Sequence, residues 1–175
     1  MQRILCIIFF VGMLGMMLWM RPSGQLLVTP FTKYGIINLE LAISKSNVKN
    51  ILNAWSDTNG GNEPIMAAAK TNIRLDFIFI LFYSLFFFTY TRLITSPFHK
   101  KTFVFKWKQW MIPAGLVAGG LDLIENLGML LNMRGHVSER WVQITFLASA
   151  LKWLIIILLL LYLLIATIRW FFLKK

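Results

Sequence analysis

Four apolar stretches punctuate the chain, at 4–20, 73–94, 110–133 and 141–168. A helix needs roughly 20 apolar residues to cross a hydrocarbon core, and each stretch meets or approaches that length. The pattern predicts an all-α membrane protein: a single domain over 1–175, built as a four-transmembrane-helix bundle. Between the first two spans lies a more polar loop, 21–72, with a pattern of its own. In "IINLELAI", Ile37, Leu39, Leu41 and Ile43 alternate with Asn38, Glu40 and Ala42. That period of two predicts a short half-buried strand. "SKSNVKNILNAW" then places Val48, Ile51, Leu52 and Trp55 on one side of a short helix, with Ser44 or Ser46 as its cap. "SDTNGGNEP" is a turn-rich break. Pro64 suits the first turn of a new helix, which continues without a breaker from about residue 63 to 95.

Composition agrees with this pattern. The chain of 175 residues is 58% hydrophobic, with a mean hydropathy of +0.67. Its formal net charge is +11. The basic residues bracket the apolar spans, as orientation signals and anionic-lipid contacts do, and no basic helix interleaved with stacking aromatics suggests nucleic acid. Arg92, Lys100, Lys101, Lys106 and Lys108 between spans 2 and 3 share one side with Arg3, Arg169, Lys174 and Lys175. This distribution predicts a cell (inner) membrane protein with both termini cytoplasmic and the 21–72 loop outside. "MQRILCIIFFVGMLGMMLWM" has a basic start and no small-x-small cleavage site, so it reads as an uncleaved signal anchor. Trp19, Trp107, Trp110, Trp141 and Trp170 fall near span ends, where amphipathic rings settle. Trp153 does not, and is expected inside the bundle. The single cysteine, Cys6, excludes an internal disulfide and a CxxC pair. His99 and His136 fall in loops at opposite sides, so no metal site is expected from them.

The feature that changes the picture is "GGLDLIENLGML" in the third span. Asp122, Glu125 and Asn126 are spaced i, i+3, i+4 and share one helix face. Gly115 and Gly119 extend that stripe as a small-xxx-small pattern, which permits close helix packing. A charge at mid-bilayer costs about 2.5–3.5 kcal/mol on insertion scales, so this face must look inward and find partners. Lys152, at similar depth in an antiparallel fourth span, is the natural one. A carboxyl left over then carries a proton or pairs elsewhere. Asp76 in span 2 joins the polar set, with Arg74, Lys70 or a loop residue as possible partners; Tyr83 and Ser84 lie deeper. The polar groups concentrate in the outer half of the bundle, where a crevice opening outward has room.

"NLELA", "ILNAW", "IRLDFIFILFYSL" and "GLDLIENLGML" together resemble a group of uncharacterised bacterial four-span membrane proteins. These carry an ELA…W outer loop, an LDFxF second span and a DxxEN third span. The resemblance covers about residues 35–133. It implies the four-span architecture and groups Glu40, Asp76, Asp122, Glu125 and Asn126 as a shared polar set. It implies no activity, and Lys152 lies outside it.

Three functions compete. A binding or accessory protein would hold a lipid, a small molecule or a partner membrane helix at the Asp122 face. The absence of a Ser–His–Asp set, HExxH or CxxC favours it over catalysis. A membrane enzyme would use Asp122 and Glu125 as base and acid on a lipid or isoprenoid, and would need an apolar tunnel ending at those carboxyls. A proton- or cation-coupled channel or transporter subunit would need a wet path to both faces, which the apolar inner half of span 4 opposes. Cofactor and ligand identity are not encoded in any motif.

Overall fold

The computed structural model describes residues 1–56 and 63–173, and the elements it contains are helical. They are α1 (Gln2–Leu26), α2 (Ile37–Glu40), α3 (Lys45–Ser56), α4 (Glu63–Thr95), α5 (Phe103–Met133) and α6 (Glu139–Leu173). Four of them, α1, α4, α5 and α6, are long and apolar enough to cross a membrane, the architecture of a multi-pass membrane protein. The break at "SDTNGGNEP" falls mostly outside the described residues.

Each long helix outruns its apolar stretch. α1 continues through Pro22 to Leu26, where Leu27 and Val28 N–H groups bond back to the Gly24 and Gln25 carbonyls. α4 has 33 residues, roughly 50 Å at 1.5 Å per residue, and so exceeds a hydrocarbon core by some 20 Å. α5 opens on Thr102, whose side chain accepts the Phe105 N–H at 3.2 Å.

The long helices pack up-down-up-down. α5 lies between α4 and α6, and α1 packs chiefly on α4. The α4–α5 seam is close because α5 presents glycines to it: a Cβ on Gly115 would strike Phe87, and one on Gly119 would strike Ser84 Oγ. Gly128 meets Thr145 of α6 in the same way. Gly119→Ala should therefore cost about 1–3 kcal/mol by overpacking, and adding Ser84→Gly should recover most of it. Thermal unfolding of the single and double variants checks this; equal melting of Gly119→Ala and wild type would refute the close seam. On the opposite side of α6, Leu147, Leu151, Leu154, Leu158 and Leu161 form an exposed stripe at helical spacing. A water-soluble bundle would bury such a stripe, whereas lipid tails solvate it.

The segment between α1 and α4 forms a cap on one end of the bundle. Trp55 is fully buried there with Leu27, Leu39 and Val48, above Ile73 of α4 and Met129 of α5. Its indole N–H donates to Thr32 Oγ1 at 3.1 Å, and that hydroxyl donates to the Leu27 carbonyl at 2.7 Å. α3 buries Val48 and Ile51, with Leu52 partly buried, and Ser44 caps it by accepting the Asn47 N–H at 3.2 Å.

The strand expected at 36–43 is not formed; residues 37–40 make one helical turn instead. Its amide groups are satisfied locally, with Leu39 and Glu40 N–H bonded to the Ile36 carbonyl and Leu41 N–H to that of Ile37. Among the described residues no strand offers a ladder, so an isolated extended segment would leave these groups bare. The buried positions are Leu39, Glu40 and Ala42, while Leu41 and Ile43 are exposed.

Candidate functional site: an acid-rich crevice under the cap

Little more than one turn of α5 places Asp122, Glu125 and Asn126 on its most enclosed face, and all three are buried. α6 runs antiparallel beside it and brings Lys152 to the same level. The Lys152 ammonium lies 2.7 and 2.9 Å from the two Glu125 oxygens and 3.0 Å from Asp122 Oδ1. One cation thus bridges two carboxylates, an arrangement that shares the lysine instead of leaving one acid over. A third acid approaches from the cap: Glu40, at the end of α2, stands 3.7 Å from the same nitrogen.

Further hydrogen bonds tie the carboxyls to their neighbours. Tyr83 of α4 donates its hydroxyl proton to Asp122 Oδ2 at 2.8 Å. Asn126 donates its amide to Asp76 Oδ2 at 2.7 Å. The Trp153 indole N–H points to Glu40 Oε2 at 3.4 Å. Four carboxyls, two from α5 and one each from α4 and the cap, therefore gather beside a single ammonium from α6. Buried charges hold together only when they are paired in good geometry and supported by hydrogen bonds.

All six polar residues expected to matter, Glu40, Asp76, Asp122, Glu125, Asn126 and Lys152, meet in this network. Asp76 meets it differently from expectation: its bonded partner is Asn126, not Arg74 or Lys70. Tyr83 and Trp153 are members that sequence reasoning did not assign. Tyr83 follows Asp76 by seven residues, two turns along the same face of α4, so its placement was recoverable. Trp153 is 39% exposed, at the rim and not within the bundle. Its role depends on where the cap folds back, which no local pattern specifies. His99 and His136 lie at opposite ends of the bundle, in the connections after α4 and after α5. Among the described residues no three His, Cys, Asp or Glu side chains are placed to hold a metal ion.

The network is not sealed. Glu40, Asp76, Asp122 and Lys152 face a crevice of about 360 Å³, whose other walls are apolar: Met13 of α1, Phe79 and Phe87 of α4, and Ile156 of α6. Tyr83 and Trp153 flank the polar part, and Ile37 and Glu40 bring the cap over it. The chemistry available is that of a strongly acid-rich, hydrogen-bonding floor within apolar walls. It suits a cation or a hydrogen-bond donor attached to an apolar body. Compared with known proteins, the chain matches no family model, no curated protein and no solved structure.

Proposed function

We propose that this chain is an integral membrane binding protein whose acid-rich crevice holds the polar group of a small molecule or lipid. The observation that carries this reading is the surplus of carboxyls on the crevice wall. A network serving only to lock helix register would need one acid for one lysine and would be closed over by packing. Here Asp76, bonded to Asn126, and Glu40, 3.7 Å from the Lys152 ammonium, face open volume. We place the chain in a bacterial inner membrane. The basic residues near 92–108 and at both termini mark the cytoplasmic end, so the cap lies outside.

The test is native mass spectrometry of the protein extracted gently from its own membrane, wild type against Asp76→Asn. The substitution keeps the shape and the contact with Asn126 while removing a charge from the wall. A bound mass should be present in wild type and fall about tenfold in occupancy in the variant, with the unfolding transition unchanged. A bare chain in both preparations would sink the binding reading.

One observation favours a second reading, an enzyme acting on a lipid or isoprenoid: the carboxyls end an apolar crevice, as such a tunnel requires. Asp122 and Glu125 would then exchange protons with substrate. Turnover of the retained molecule by wild type, lost in Asp122→Asn, would separate enzyme from binder. A proton or cation relay has less support. Below the crevice the bundle is filled by Leu159, Leu163, Ala166 and Val104, all buried, and the hydroxyls of Tyr162 and Thr95 there donate to the Val104 and Thr91 carbonyls.

A further inference from the structure

Beneath the crevice a second cavity of about 550 Å³ runs along the outside of α4, between α1 and α6. Its walls are almost wholly apolar: Ile7 and Phe10 of α1, Phe86 of α4, and Leu160 and Leu164 of α6. Phe87 borders both this groove and the crevice. Cys6, Phe10 and Met13 follow one another at helical spacing, so a single stripe of α1 edges the two spaces in succession. The groove exists because α1 rests on α4, and among the described residues no comparable packing joins α1 to α6.

We infer that crevice and groove form one site for an amine-headed lipid, its cationic head on the Glu40, Asp76 and Asp122 wall and its chain between α1 and α6. This rests on the binding reading above and names the ligand class. Three observations support it. The first is charge: three carboxyls pair with one lysine and a fourth, Asp76, faces the same crevice, so the wall favours a cationic head over a phosphate or carboxylate. The second is length. From Lys152 to Thr167 the two spaces follow α6 for roughly 22 Å, the span of a long hydrocarbon chain plus its head. The third is the lining: the groove walls are apolar side chains of α1, α4 and α6, which suit a hydrocarbon chain. Entry is lateral, from the bilayer, since the cap covers the outer end with Ile37 and Glu40.

The experiment is photolabelling of the full chain in nanodiscs with a long-chain primary amine bearing a diazirine at its tail, mapped by peptide mass spectrometry. A matched N-acetyl analogue removes the charge. Leu164→Trp fills the groove from an exposed position, and Leu158→Trp, on the opposite, exposed stripe of α6, is the control. The expected result is saturable labelling of α1 and α6 at the groove. It should fall about tenfold with Leu164→Trp and with the N-acetyl probe, and stay unchanged with Leu158→Trp. Equal labelling by the N-acetyl probe would overturn the cationic head. Saturable binding of the amine that labels only the crevice peptides around Asp76 and Trp153, indifferent to Leu164→Trp, would overturn the groove and leave the binding reading standing. No saturable labelling at either place, joined to a bare chain in native spectra, would remove both. A diazirine cross-link joining two copies of the chain through the groove would make the occupant a second protomer, and the lipid assignment would fall.

Discussion

Lys152→Met should destabilise the folded bundle by about 3–5 kcal/mol, because it strands buried carboxyls without their cation. The ammonium is the common partner of Asp122, Glu125 and, at longer range, Glu40. Methionine fills nearly the same volume, so the loss would be electrostatic and not a cavity effect. Adding Asp122→Asn and Glu125→Gln should restore most of the lost stability, and the triple variant should match or exceed wild type. Replacing a buried ion network by neutral groups of similar shape is often neutral or stabilising. The measurement is reversible unfolding in mixed micelles with increasing denaturing detergent, read for each variant and combined as a mutant cycle. A single Lys152→Met variant as stable as wild type would mean that the acids are neutral without the lysine, and the network as drawn would be wrong. The triple variant carries a second message. If it is stable and has also lost the bound mass, the charges are there for the ligand and the fold merely tolerates them.

Trp55→Ala should cost the cap about 3–5 kcal/mol, the range for truncating a buried aromatic side chain. Trp55 has no exposed surface and stands where α3, the loop after α1 and α4 meet. Trp55→Phe keeps most of that packing and loses the bond to Thr32, so it should cost less, about 1 kcal/mol beyond its smaller area. Limited proteolysis distinguishes local from global loss. In Trp55→Ala, cleavage should accelerate within 27–56 while the peptides of α5 and α6 stay protected. Cleavage spread evenly over the chain would show that cap and bundle unfold as one unit. Because Glu40 reaches the network from the cap, the same variant should weaken ligand retention without touching any membrane helix.

The bundle was legible because lipid imposes a simple rule: long apolar runs must be helices, since backbone groups find no water there. The continuous helix from residue 63 was legible for the same reason, with no breaker between Pro64 and Ile94. Pairing of Lys152 with the α5 acids followed from depth alone, since antiparallel helices of known rise bring such residues level. The cap obeyed no such rule. "IINLELAI" alternates as a strand does, but alternation specifies a strand only if another strand is there to pair with it. Without one, the segment closed its own hydrogen bonds in a helical turn, and Leu39, Glu40 and Ala42 turned inward together. That turn carries Glu40 into the network, a position set by tertiary contacts among Leu39, Trp55 and Ile73 and not by its neighbours in sequence. Tyr83 could have been placed by counting turns from Asp76. The groove between α1 and α6 could not, because it records a contact that is missing.

The short turn at 134–138 between α5 and α6 also has a consequence for how the protein is made. Chains emerge from the ribosome N-terminus first, and α5 arrives with two carboxyls and no counter-ion. Entering the bilayer alone, it would bear about 2.5–3.5 kcal/mol for each ionised acid. Its lysine follows only 27 residues behind Glu125 and folds back to the same depth. The two helices are therefore built to insert together as a hairpin, with the charges meeting before either helix faces lipid. α1 has the reverse history: it waits for α4, its main support, until the whole cap between them has been made.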